Sequence, residues 1–118
     1  MFATKQELLD VIDKIKEHGI LIIVEGSKDK ITLEKFGLTN IVVLNGKDIW
    51  NRLEGLTAKE VLILTDFDKQ GKKLYGKITK DLEQLHISVD KQYREFFQKK
   101  TKLSQIEGID TYIENLEQ

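Results

Sequence analysis

Two short segments carry carboxylates in positions from which they could act together. Glu25-Gly26-Ser27-Lys28-Asp29 and Thr65-Asp66-Phe67-Asp68 each follow directly on an apolar run, Ile20 to Val24 and Val61 to Leu64. Two residues apart on extended backbone, Asp66 and Asp68 project to the same side, so both carboxylates can face one cation. Without a cation such a cluster is repulsive. The chain has no Cys and two His, which excludes disulfides, thiolate catalysis, thiolate zinc sites and cysteine-ligated clusters. Any metal would be held by oxygen. This set suits Mg²⁺, with Mn²⁺ as its substitute, because Mg²⁺ takes one or two carboxylates plus waters and substrate phosphate oxygens. Gly26 and Gly71 lie beside the acids, where the lack of a side chain would let a phosphate approach the backbone. A phosphate-bearing substrate is the expectation.

The elements that must position these groups are legible from periodicity. Thr4 with Glu7 forms a capping box, and Leu8, Val11, Ile12 and Ile15 recur at helical spacing until His18-Gly19. The β-branched run Ile20 to Val24 reads as a strand covered on both faces. Ile31, Leu33 and Phe36 mark a short helix ending at Gly37, followed by a second buried strand, Ile41 to Leu44, and an Asn45-Gly46 turn. A helix through Ile49, Trp50 and Leu53 leads to the third run, and Leu74, Ile78, Leu82 and Leu85 mark a long helix from residue 69. Ile87 to Val89 is a fourth, shorter strand. Tyr93, Phe96 and Phe97, then Ile109, Tyr112, Ile113 and Leu116, read as two further helical pieces. This alternation predicts an α/β fold: about four parallel strands joined by right-handed crossovers, with helices on both faces. In such a sheet ligands bind outside the carboxyl ends of the strands, which is where Glu25, Asn45-Gly46 and Asp66 fall.

A chain of 118 residues, 40% hydrophobic and 33% charged, should bury a real core as a single domain. Its longest apolar run is far shorter than the roughly 20 residues that span a bilayer. Lys5, Glu7 and Asp10 stand where a signal peptide needs an apolar stretch, so the expectation is a cytoplasmic protein with no membrane partner. A net charge of -1 is no global signature of nucleic-acid binding. The charge is uneven, however: residues 69 to 102 hold ten basic and four acidic side chains, and residues 103 to 118 hold four acidic and none basic. Lys69, Lys73, Lys77 and Lys80 recur at steps of four, four and three, forming one stripe that begins at the carboxylates. Such a stripe suits a phosphate backbone, and Arg94, Lys99, Lys100 and Lys102 would extend it; a merely solvated helix face gives the same pattern. His18 and His86 read as surface polar groups, and Trp50, Phe96 and Phe97 as core or interface.

Taken in order, these motifs resemble the Toprim domain, the metal-binding catalytic module shared by topoisomerases, bacterial-type primases, certain nucleases and recombination proteins. Ile22 to Asp29 matches the family's apolar strand ending in Glu-Gly-x-x-Asp. Leu62 to Asp68 with Gly71 matches its strand ending in Asp-x-Asp with a glycine three positions on, and Val42 to Gly46 resembles the middle strand and glycine turn. The resemblance covers about residues 20 to 90 and implies a Toprim-like Rossmannoid fold over 1-118, with an N-terminal helix and a helical C-terminal extension. Within the family, this variant of the motifs is most similar to the small nuclease that matures 5S ribosomal RNA and to short stand-alone Toprim proteins. The expectation from 118 residues is a chain without a primase's zinc and polymerase domains or a topoisomerase's tyrosine-bearing domain.

Residue by residue, the resemblance implies Glu25 as general acid or base and Asp66 and Asp68 as the Mg²⁺-holding pair, with Asp29 as a further metal-site carboxylate. Phosphate or nucleic-acid contacts are expected from Gly26, Lys28, Asn45, Gly46, Gly71, Lys69, Lys73, Lys77 and Arg94. The implied activity is Mg²⁺-dependent phosphodiester hydrolysis or transfer on nucleic acid, RNA favoured over DNA, by a small ribonuclease-like protein. Because the 5S maturation nuclease is larger, a protein partner would supply part of the grip on the substrate. The alternative is a non-catalytic nucleic-acid-binding or partner module that retains a Toprim metal site.

Overall fold

The amphipathic N-terminal segment forms helix α1 (Lys5–His18), and both of its ends are closed by the residues that the sequence supplies for it. Thr4 Oγ1 accepts from the Glu7 N–H (3.1 Å) while Glu7 Oε1 accepts from the Thr4 N–H (2.9 Å), which satisfies two of the amides that a helix start leaves unpaired. At the other end Gly19 takes the left-handed conformation (φ 66°) and its N–H donates to the Ile15 and Lys16 carbonyls. Strands and helices then alternate: β1 (Leu21–Val24), α2 (Ser27–Glu34), β2 (Ile41–Val43), α3 (Ile49–Glu54), β3 (Glu60–Ile63), α4 (Lys69–Gln84), β4 (Ser88–Asp90) and α5 (Gln92–Lys100). A 3₁₀ turn (Ile106–Gly108) and α6 (Ile109–Glu114) follow, and the computed structural model describes residues 1–116. Among these residues no helix is long and apolar enough to cross a membrane.

All strand pairings are parallel, in the order β2-β1-β3-β4. The α/β architecture expected from the alternation of elements is therefore the architecture found. Successive residues of the central strands point to opposite faces. Ile22 and Val24 of β1 and Leu62 of β3 join Leu8, Ile12 and Ile15 of α1 and Phe97 of α5 in one core. Ile23, Val61 and Ile63 join Leu53 of α3 and Ile78 and Leu82 of α4 in the other. Each fully buried aliphatic side chain contributes about 2 kcal/mol, so two layers on one sheet hold β1 and β3 from both sides. The second apolar run differs from expectation: β2 is an edge strand whose three residues are only half-buried.

From β1 the chain steps to β2 on one side, then returns past β1 to β3 and continues to β4 on the other. The change of direction falls between β1 and β3, and there their carboxyl ends separate. Arg94 of α5 closes the opposite, β4-facing edge of β3 at the same end of the sheet. It is 3% exposed, and its guanidinium donates to the carbonyls of Ile63 (3.2 Å), Thr65 (2.8 Å) and Asp66 (3.1 Å). Its charge also lies over the rings of Phe67 (4.7 Å) and Tyr75 (4.4 Å). Burial pulls its pKa down to about 10, so it remains charged at neutral pH. This corrects the expectation of Arg94 as a nucleic-acid contact: carbonyls that have run past the sheet need donors, and a planar fork of N–H groups meets that need.

Replacing Arg94 by Met strips three carbonyls of their donor and is expected to lower the unfolding free energy by about 3 kcal/mol or more in urea titrations. Arg94→Lys should recover less than half of that loss, because a single ammonium cannot span the three acceptors.

Candidate metal and catalytic site

The separation of β1 from β3 brings the first acidic motif onto the second. Along the ladder the Leu64 N–H donates to the Ile23 carbonyl (2.8 Å), and the next donor on that edge is the Asp66 N–H. The Glu25 carbonyl is already taken by the Asn45 N–H (2.9 Å) from the β2 side. The Asp66 amide is met instead by the Glu25 side chain, through Oε2 at 3.0 Å. Glu25 thus bridges the central strands where the sheet opens. The bridge stands at one wall of an open cleft of about 550 Å³, lined by Glu25, Asp29, Asp66 and Glu107 with Lys28 and the Asn45-Gly46 turn. Asn45 (φ 57°) and Gly46 (φ 70°) both adopt the left-handed conformation that turns the chain out of β2.

Each carboxylate of the two motifs spends one oxygen on a backbone amide. Asp66 Oδ1 accepts from the Ile106 N–H (2.8 Å), Asp29 Oδ2 from the Gly26 N–H (3.1 Å), and Asp68 Oδ1 from the Gly71 N–H (2.7 Å). Burial pushes Asp29 up to about 6, against the opposing pull of the Gly26 amide, and the charges of Asp66, Glu25 and Glu107 add to the push. Asp66 is also raised, first by burial; the Ile106 amide opposes this, and Asp68 and Glu107 reinforce it.

Several expectations are modified. Asp66 and Asp68 flank the buried Phe67 as alternation requires, but Asp68 is drawn off to cap α4 and does not line the cleft. Among the described residues no three acidic side chains stand close enough to enclose an ion, so Asp66, Asp68 and Asp29 form no ready-made cage. An all-oxygen set with unspent carboxylate oxygens still fits Mg²⁺, which asks the protein for one or two carboxylates. Gly71 is required for packing, not for phosphate approach. Its amide is committed to Asp68, Thr65 Oγ1 donates to its carbonyl (2.8 Å), and a Cβ there would run into the Asp66 backbone. The Gly26 amide is likewise committed, to Asp29.

Lys69, Lys73 and Lys80 are exposed on α4, opposite its buried face, while Lys77 pairs with Asp81 (2.9 Å). Trp50 is 36% exposed on α3, whereas Phe97 is in the core. Glu107 was not singled out from the motifs. No local pattern marks it, and the one usable signal was the acidic tract that follows the basic segment.

The raised pKa of Asp29 fixes the sign of a pH effect. An aspartate near 3.8 when unfolded and near 6 when folded keeps its proton longer in the native state, so its contribution favours folding at low pH and is lost as pH rises through that window. Asp29→Asn, which retains an acceptor for Gly26, is expected to be more stable than the wild type at pH 7 and equal to it at pH 4. Urea midpoints for both proteins across the range measure this difference, and a gap independent of pH would refute it.

A family model described as the Toprim domain matches residues 19–92. Similar proteins include a UPF0292 protein of Thermococcus sibiricus, 36% identical over 115 residues, covering 93% of this chain and 89% of that protein. Another, from Methanocaldococcus jannaschii, is 32% identical over 116 residues and covers 92% and 91% of the two chains. A solved protein structure from Aquifex aeolicus has a TM-score of 0.77 at 29% identity, over 83% of this chain and 94% of that one. The zinc-binding and RNA polymerase domains of the Aquifex aeolicus primase have a TM-score of 0.53 at 26% identity, over 91% of this chain and 28% of that one. The family match takes in Glu25, Asp29, Asp66 and Asp68 and stops short of Glu107. With its parallel sheet and both acidic motifs inside that match, the chain belongs to the Toprim domain family.

Proposed function

We propose that this protein performs Mg²⁺-dependent phosphodiester hydrolysis or transfer on nucleic acid, as a small ribonuclease-like Toprim protein acting on structured RNA. The observation that carries this reading is the meeting of Glu25 with Asp66 where the central strands part, in a cleft wide enough for a phosphodiester. Similarity to a primase supports nucleic acid as the partner. The likeness of the motifs to those of the 5S maturation nuclease supports RNA over DNA, with a partner protein supplying additional grip.

Glu25 keeps one carboxylate oxygen against the Asp66 amide, which holds the side chain in place and leaves the other oxygen to exchange a proton with the attacking or leaving oxygen. Asp66 would offer Mg²⁺ the oxygen it does not spend on Ile106, and Asp68 and Asp29 would join it only by turning their own unspent oxygens toward the ion. When bound, the ion polarises the phosphodiester and neutralises charge that develops on its oxygens. Lys28 and the Asn45-Gly46 turn at the cleft, with Lys69, Lys73 and Lys77 along α4, would orient the phosphate backbone. No side chain need attack covalently.

The test is cleavage of labelled structured RNA and of single- and double-stranded DNA in Mg²⁺, with EDTA as control. Glu25→Gln should slow cleavage about 100-fold or more with Mg²⁺ binding retained. Asp66→Asn/Asp68→Asn should abolish both. Mg²⁺ binding without cleavage of any substrate would sink the catalytic reading in favour of a non-catalytic binding module. For the lysine face, Lys69→Ala/Lys73→Ala should reduce the slope of log affinity against log salt by about 1.5, and an unchanged slope would remove α4 from the interface.

A further inference from the structure

We propose that Trp50 is a base-stacking residue at the rim of the cleft, where it and the lysines of α4 take an unpaired stretch of nucleic acid. The inference rests on the functional reading above and adds to it the form of the substrate. The chain leaves β2 through Asn45 (φ 57°), Gly46 (φ 70°) and Asp48 (φ 48°), all left-handed. The amides of Leu44 and Asn45 tie the start of this turn to the carbonyls of Val24 (3.1 Å) and Glu25 (2.9 Å). Helix α3 therefore begins at the carboxyl end of the sheet, with Ile49 in the cleft wall. Leu53, fully buried in the layer that holds Ile78 and Leu82 of α4, fixes the helix there. Trp50, next after Ile49, is left 36% exposed and belongs to neither apolar layer.

A single exposed apolar side chain is ordinary; the neighbours of this one set it apart. Helix α4 also starts at the carboxyl end of the sheet, capped by Asp68, and its Leu74 lines the cleft together with Ile49. From Lys69 to Lys80 it holds five lysines and no acid. Among the described residues Lys69, Lys72, Lys73 and Lys80 form no ion pair. In a chain of net charge -1 this is a concentrated positive face without local compensation. Ammonium groups that can follow a phosphate backbone, with an aromatic ring at the same end of the molecule, are the parts from which single-strand sites are assembled. A duplex offers its phosphates to such a face but keeps its bases stacked on one another. An unpaired segment offers both, and a base laid on the indole covers the ring that the fold leaves in water.

The experiment follows the emission of Trp50, the chain's one tryptophan, while a short oligouridylate, or the same strand paired with oligoadenylate, is titrated into the full chain in EDTA. It is repeated with Mg²⁺ in Glu25→Gln, which keeps the strand intact. The single strand is expected to quench the emission and the duplex to leave it unchanged. By anisotropy of the labelled strands, Trp50→Ala should bind the single strand about tenfold more weakly and the duplex as the wild type does, and Trp50→Phe should recover most of the loss. Thermal melts verify that the variants fold. If Trp50→Ala does not, the wild-type emission decides, and quenching by the duplex equal to that by the single strand overturns the proposal. Wild-type single-strand affinity in Trp50→Ala with unmoved emission strikes out Trp50 alone and leaves the cleavage reading intact. A dimer of the wild type that is lost in Trp50→Ala assigns the ring to a protein contact and likewise overturns the proposal. Absence of binding to either form, in EDTA and with Mg²⁺, overturns both readings.

Discussion

The structure is organised by the need to pair buried backbone groups at the carboxyl end of β3, where it parts from β1 on one edge and from β4 on the other. A parallel ladder satisfies its own amides and carbonyls only while the strands run together, and beyond that point each buried N–H and C=O must find another partner. Here the partners are side chains and a distant loop. Glu25 takes the Asp66 amide, Arg94 supplies three carbonyls, and the Ser104 carbonyl takes the Phe67 amide. The groups that close the end of the sheet are therefore the groups that build the cleft. Structural pairing and candidate chemistry cannot be separated at this end of the molecule.

The same economy explains the electrostatics. Carboxylates are good acceptors for stranded amides, and four of them are used this way around the cleft and the start of α4. Burial displaces Asp29 and Asp66 upward, and the repulsion among the carboxylates adds to it. The Arg94 charge offsets part of it at Asp66, but its N–H groups face backbone carbonyls and not the carboxylates. The site is thus locally unfavourable in a fold whose two apolar layers are well satisfied, a distribution of strain typical of places where a ligand completes the charge balance.

The C-terminal segment changes the meaning of the family match. Residues 19–92 contain both acidic motifs and all four strands, yet the orientation of Asp66 depends on an amide at Ile106, and the cleft is closed on one side by Glu107. What the family motifs contribute is the central pair of strands and the charges at their ends. What the rest of this chain contributes is how those charges are held.

Much was fixed by local pattern. Helix α1 with its capping box, the alternating strands and helices, the parallel sheet and the two acidic motifs could be read directly, because hydrophobic periodicity, caps and glycines act over a few residues. The placement of Glu25 beside Asp66 followed from strand-end position alone. Tertiary structure decided the rest. It put Arg94 in the interior although its sequence neighbourhood is basic, and made β2 a half-buried edge. It also brought Glu107 across the end of the sheet. The Asp68 cap and the contact of Gly71 with the Asp66 backbone are local; the burial of Arg94, the edge position of β2 and the position of Glu107 have no local signature, because they depend on contacts between segments far apart in the chain.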